Sequence, residues 1–128
     1  MRRALIVDDS EANRRLPALI LGQLGWDCVE AGDARSALEA FKTQSFDCVL
    51  LDLLLPDMSG VRVCHFLRRL PHGQDIRIVA YTASPDEDME ASLQMSGFDA
   101  VLKKPLSRQS LLDALGNSPE DTLLSLRV

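Results

Sequence analysis

Short apolar runs alternate along this chain with longer stretches whose apolar positions recur every three or four residues. Ala4 to Val7 reads as a first strand. Glu11 to Leu24 reads as a helix with Ala12, Leu16, Ile20 and Leu24 on one face and Leu19 beside them. Pro17 lies inside that stretch, where it removes one backbone hydrogen bond and predicts a kink. Gly25 ends the helix, and Trp26 to Ala31 follows as a second strand whose polar alternation predicts an exposed position in the sheet. Asp33 is placed to cap a second helix with Ala34, Ala37, Leu38 and Phe41 inward. Phe46 to Leu51 is apolar apart from Asp47, the pattern of a strand covered on both faces.

Ser59 or Gly60 opens a third helix with Val63, Phe66, Leu67 and Leu70 inward, and Pro71 to Asp75 makes the next turn. Ile76 to Tyr81 is a fourth strand. Pro85 followed by Asp86, Glu87 and Asp88 announces a fourth helix, with proline in the first turn and carboxylates at the positive end of the dipole. Gly97 ends that helix, Phe98 to Lys103 is a fifth strand, and Ser107 caps a fifth helix carrying Leu111, Leu112 and Leu115 up to Gly116. The strands are too far apart for hairpins. The pattern therefore predicts an α/β fold: a doubly wound parallel sheet with right-handed helical crossovers and helices on both faces. Residues 1–116 form this one domain. In residues 117–128, Ser118, Pro119, Glu120 and Asp121 open a short extra helix or the start of a linker to another domain, a sign of a domain cut from a longer protein.

The 128 residues suit one compact domain, and 46% apolar content supplies a core. Net charge is −5 with no long basic run, so direct nucleic-acid binding, which rests on phosphate neutralisation, is not expected. Cys28, Cys48 and Cys64 are odd in number and widely spaced, the usage of reduced buried thiols in the cytoplasm rather than of a disulfide frame or zinc site. No stretch approaches a membrane span, and the apolar run near the N-terminus is too short for a signal peptide. His65 and His72 read as surface histidines, and Arg14-Arg15 and Arg68-Arg69 as solvated helix faces.

In an open parallel sheet, sites form at the carboxyl ends of the strands. Strand one ends in Asp8-Asp9-Ser10, strand three in Asp52, strand four in Thr82-Ala83-Ser84, and strand five in Lys103-Lys104-Pro105. Asp52 stands out, because it interrupts the apolar run CVLLDLLLP, where an ionised group loses its hydration unless something compensates it. Clustered carboxylates repel one another and either share protons or bind a cation. With no His or Cys beside them, the oxygen-only set favours Mg²⁺, with Mn²⁺ as the alternative. An aspartate can also be a nucleophile forming an acyl phosphate, and a lysine and a hydroxyl beside it can hold the phosphoryl oxygens.

This set resembles the receiver domain of two-component response regulators and hybrid histidine kinases. The resemblance covers Ala4 to about Leu115 and rests on Asp8 and Asp9, Asp52, Pro56 and Gly60 in the following loop, Thr82-Ala83, and Lys104-Pro105. It implies a flavodoxin-like sheet in the order 2-1-3-4-5. It also implies that Asp52 is the phosphoacceptor and Asp9 the main Mg²⁺ ligand, with Asp8 assisting through water. The backbone carbonyl of Leu54 would be a further metal ligand, and Thr82 and Lys104 would bind the phosphoryl oxygens. Lys104 is the site lysine because proline follows it, and Lys103 is read as solvated. The implied function is a cytoplasmic signalling switch, not an enzyme on outside substrates. It would take its phosphoryl group from a sensor histidine kinase or histidine phosphotransfer protein and act on a downstream output domain or protein, with no membrane insertion. Asn13 within DDSEAN, IVAYTA and GFDAVLKKPL resemble receivers attached to hybrid kinases.

Two positions depart from the family pattern. Many receivers carry an aromatic residue three before the lysine, which rotates inward on activation; Val101 stands there in this chain. The second residue after the phosphoacceptor and the second after the threonine tune phosphoryl lifetime in the family, and here they are Leu54 and Ser84. A leucine cannot orient an attacking water, so slow self-dephosphorylation is expected. Other readings of the same sequence are a degenerate receiver serving only as a docking module and a haloacid-dehalogenase-type phosphatase. The phosphatase needs a second aspartate where Leu54 stands. A flavodoxin-like cofactor binder would need a phosphate loop in place of DDSEAN.

Overall fold

In the computed structural model, residues 2–83 and 87–116 are described, with the backbone alone for residues 87 and 88. Five strands and five helices alternate: β1 (Arg3–Val7), α1 (Glu11–Gln23), β2 (Asp27–Ala31), α2 (Ala34–Thr43), β3 (Cys48–Leu51), α3 (Gly60–Arg69), β4 (Arg77–Thr82), α4 (Glu87–Met95), β5 (Ala100–Lys103) and α5 (Arg108–Ala114). All pairings are parallel and the sheet order is β2-β1-β3-β4-β5. β2 is an edge strand, as its polar alternation predicts, and β3 lies at the centre with all four residues buried.

The two-residue period of the strands sorts the core into two layers. Leu5, Val7, Val49, Leu51, Ile78 and Ala80 face α2, α3 and α4, where Ala34, Ala37, Phe41, Val63, Cys64, Leu67 and Leu93 meet them. Ala4, Ile6, Cys48, Leu50, Val79, Tyr81 and Leu102 face α1 and α5, packing on Ile20, Leu21, Leu111 and Ala114. Four of the helices enter through a cap: Ser10, Asp33, Ser59 and Ser107 each accept a hydrogen bond from the backbone N–H three residues on. Gly97 and Gly116 follow their helices at positive φ, the conformation in which glycine carries no side-chain penalty.

Three expectations fail. α1 buries Pro17, Ile20 and Leu21 and turns Leu16 and Leu19 outward, 41% and 58% exposed, with Ala12 exposed as well. Two stripes of helical period run along this helix and share Ile20. The inner one includes Pro17, which has no N–H to give to the helical ladder, and α1 nonetheless runs through it as a single helix. On α3, Cys64 rather than Phe66 faces the core. Phe66 lies outside, with the Arg62 guanidinium over its ring and His65 at its edge. Arg14 and Arg68 are not solvated: Arg14 bonds to a backbone carbonyl and to Glu30, and Arg68 donates to three carbonyls and to Asp99. The predicted start of α4 at Pro85 and the predicted helix opening at Ser118 lie outside the described residues.

Candidate functional site

The sheet register carries the acidic residues to one edge. Val7 is level with Ala31 on one side and Leu51 on the other. The ladder continues one step beyond the strands: Asp8 N–H donates to Ala31 O at 3.1 Å and Asp52 N–H to Val7 O at 2.9 Å. Asp8 and Asp52 therefore emerge side by side. On the other flank Thr82, the last residue of β4, pairs with Lys103, and Lys104 N–H donates to Thr82 O at 2.8 Å. That bond turns Lys104 back over the edge while Lys103 stays exposed, and the Lys104–Pro105 peptide is cis.

The site is a buried charge cluster. Asp8 is fully buried and Asp52 nearly so, whereas Asp9 is exposed. One carboxylate oxygen from each of the three lies within 4.8 Å of the others. The Lys104 ammonium sits 2.6 Å from Asp8 Oδ2 and 3.4 Å from Asp52 Oδ2, and it rests over the Tyr81 ring at 5.0 Å from the centroid. Asp8 Oδ1 accepts from the Ser10 N–H at 2.9 Å, and Asp52 Oδ1 accepts from the Leu54 N–H at 3.2 Å. Asp8 Oδ2 has the ammonium beside it but no hydrogen bond of good direction. A buried, under-satisfied carboxylate oxygen flanked by two more carboxylates, with no nitrogen or sulfur donor among them, fits a hard divalent cation. Asp8, Asp9 and Asp52 are the side chains that could hold it.

Burial raises the Asp52 pKa. The Leu54 N–H and the Lys104 charge oppose that rise, and the Asp8 charge adds to it. Burial, then Asp8 and Asp52, raise Tyr81 as well. Cys48 and Cys64 are free thiols pushed up by burial, to about 12 and about 11, so they are inert core residues and not nucleophiles.

The loop between β3 and α3 is held tightly. Leu54 and Ser59 form an isolated antiparallel bridge, and Gly60 N–H donates to Leu53 O at 2.9 Å. A β-carbon on Gly60 would collide with the backbone of Asp52 and Leu53, so only glycine lets α3 start this close to the acid. Asp57, in the same loop, caps α2 across the gap by accepting from Ala34 N–H at 2.9 Å and Arg35 N–H at 3.1 Å. Those bonds lower its pKa. The Leu54 side chain is 82% exposed and contributes no polar atom. Val101 packs against the core, and Ser84 lies outside the described residues.

Sequence reasoning points to Asp8, Asp9, Asp52, Thr82 and Lys104, and the fold brings their backbones to one edge. It missed Asp57, Arg14 and the Tyr81 ring under the lysine. The position of Asp57, directly after Pro56 in a turn, is a cap signal, but nothing local says which helix it caps.

Comparison with known proteins agrees with this geometry. The model of the response regulator receiver domain matches residues 4–116. This chain belongs to the response regulator receiver family. It is 33% identical over 113 residues to the CAI-1 autoinducer sensor kinase/phosphatase CqsS of Vibrio cholerae, covering 88% of this chain and 16% of that protein. It is 36% identical over 111 residues to the sensor histidine kinase RcsC of Salmonella typhi, covering 87% and 12%. The chain thus spans well under a fifth of these kinases. Among solved structures it is similar to the chemotaxis protein CheY4 of Vibrio cholerae, with TM-score 0.85 and 26% identity over 91% of this chain and 97% of that one. It is also similar to the receiver domain of a Pseudomonas aeruginosa sensor histidine kinase solved with magnesium in its active-site cleft, with TM-score 0.80 and 25% identity over 89% and 93%. Receiver domains are phosphoacceptor modules of two-component signalling, resemble each other across response regulators and hybrid kinases, and bind Mg²⁺ at an acidic pocket.

Proposed function

We propose that Asp52 accepts a phosphoryl group from a phosphohistidine donor, and that the resulting aspartyl phosphate is the signal. The observation that carries this reading is the Lys104 ammonium shared between Asp8 and Asp52 at the mouth of the acidic cluster. In the transfer, an Asp52 carboxylate oxygen forms a bond to phosphorus as the phosphorus–nitrogen bond breaks, and the histidine nitrogen leaves with the electron pair. Lys104 exchanges a carboxylate partner for a phosphoryl oxygen, and the Thr82 hydroxyl takes another. Asp9 as the main ligand, Asp8 through water, Asp52 and the Leu54 carbonyl would hold Mg²⁺, which when bound would supply charge neutralisation. Burial keeps the Asp52 carboxylate basic, which suits a nucleophile.

The partner is a sensor histidine kinase or a phosphotransfer protein. The exposed Leu16 and Leu19 of α1, whose N-terminus opens at the site, offer it an apolar face. Such donors are charged from ATP, which assigns the reaction to the cytoplasm. Among the described residues no helix is long and apolar enough to cross a membrane. The added charge of about −1.5 to −2 shifts a two-state equilibrium felt by a downstream domain or protein. We read residues 1–116 as the receiver and residues 117–128 as a short extra helix or the start of a linker to another domain. The domain acts on itself and on no outside substrate: where a haloacid-dehalogenase-type phosphatase needs its second aspartate, Leu54 presents an exposed hydrocarbon.

Borohydride reduction of protein phosphorylated by acetyl phosphate and Mg²⁺, followed by peptide mapping, tests the assignment. Homoserine at position 52 is expected, and homoserine at 8 or 9 contradicts it. The phosphoprotein is expected to outlast seconds, because Leu54 positions no water; hydrolysis within seconds contradicts that part.

A further inference from the structure

Asp9 is the exposed member of the acidic cluster, and among the described residues its carboxylate has no hydrogen bond or ion pair to hold it. The backbone on either side therefore fixes the one thing that is fixed about it, the Cα–Cβ bond from which it projects. The peptide after it is anchored where Ser10 N–H donates to Asp8 Oδ1 at 2.9 Å. The peptide before it is anchored where Arg14 Nη1 donates to the Asp8 carbonyl oxygen at 2.6 Å. Arg14 is itself fixed: its Nε meets Glu30 Oε1 on β2 at 3.1 Å, and its side chain is 17% exposed. Asp8 N–H closes the frame by donating to Ala31 O on the same strand. One guanidinium thus ties α1, the edge strand β2 and the peptide that joins Asp8 to Asp9.

We propose that Arg14, seated on Glu30, is a positioning residue for Mg²⁺: it locks the Asp8–Asp9 peptide so that the untethered Asp9 carboxylate stays on the metal. This rests on the reading of the acidic cluster as the Mg²⁺ site. Outer residues that orient ligands in this way typically carry about 10-fold or more in metal affinity. Two simpler roles give different results. A nearby cation that acted only through its charge would repel Mg²⁺, so its removal would tighten binding. A purely structural tie would change stability and leave the affinity alone.

The test is calorimetric titration of the full chain with MgCl₂ at fixed ionic strength, with a thermal melt without metal as control. Arg14→Ala is expected to weaken binding about tenfold. Arg14→Lys, which keeps the charge but not the fork that reaches carbonyl and carboxylate together, is expected to weaken it to a smaller degree. Unchanged or tighter binding in Arg14→Ala overturns the proposal. If that variant does not fold, Glu30→Ala decides: it leaves the Arg14 charge in place but removes the oxygen that seats it, so weaker binding supports the proposal and wild-type affinity overturns it. Wild-type protein that binds no Mg²⁺ overturns the metal site itself, a failure distinct from variants that bind as tightly as wild type.

Discussion

Arg68 and Lys104, two of the cations drawn into the body of this protein, are treated in opposite ways. Arg68, on the last turn of α3, uses its whole fork. It donates to Gly97 O from two nitrogens at 3.0 and 2.6 Å, to Gly73 O at 2.9 Å, to Ile76 O at 2.7 Å and to Asp99 Oδ2 at 2.8 Å. Asp99 in turn accepts from Ile78 N–H. This cluster joins α3, the turn before β4 and the turn before β5, and its partners are complementary. Lys104 has two carboxylates for one ammonium, a third close by, and a buried Asp8 oxygen with no well-directed hydrogen bond. A satisfied network rigidifies a fold, while an unsatisfied one stores a preference for something yet to bind. The contrast separates a structural cluster, where Arg68 meets one carboxylate ahead of β4 and β5, from the proposed reactive one, which lies beyond the opposite ends of the strands.

The comparison breaks or sharpens under substitution. Arg68→Ala takes the donor from three carbonyls and leaves Asp99 with the Ile78 N–H alone, and it is expected to cost about 3 kcal/mol in urea denaturation. A neutral result would mean that the network is incidental. Gly60→Ala, which drives a methyl into the Asp52 backbone, is expected to cost about 2 kcal/mol and to slow phosphoryl uptake as well, since the same loop carries Leu54. Asp52→Asn has the opposite sign. Because burial raises the Asp52 pKa in the folded state, its ionised form opposes folding at pH above the ordinary carboxylate range. The variant should therefore melt higher than wild type without Mg²⁺, and this group's penalty in wild type should itself shrink as pH falls toward that range. The smallest effect belongs to Asp57→Asn. The Asp57 pKa is lowered in the folded state, so its contribution is complete at neutral pH and fades as pH falls through that lowered value. The gap between wild type and variant in thermal melts should close on the acid side.

Much of this was legible in sequence, for a physical reason. β3 is apolar on both faces, so Asp52 at its end was conspicuous, and strand ends in a parallel sheet converge. Ser107 and Asp33 declared their helices because capping is local. α1 was misread because its two apolar stripes share Ile20, and only packing chooses between them. The roles of Arg14, Arg68 and Asp57 were hidden because each reaches across to another element of the fold, and side-chain bonds to remote carbonyls and amides leave no periodic mark in sequence. The under-satisfied oxygen of Asp8 is likewise a property of the assembled edge.

The central claim is that the crowded acid beside Lys104 is the one that reacts. Intact mass of the wild-type chain after incubation with acetyl phosphate and Mg²⁺, measured beside Asp52→Asn, tests it most directly. A single phosphoryl adduct on wild type that is absent from the variant is the predicted result. No adduct on wild type, or an undiminished adduct on Asp52→Asn, would contradict it.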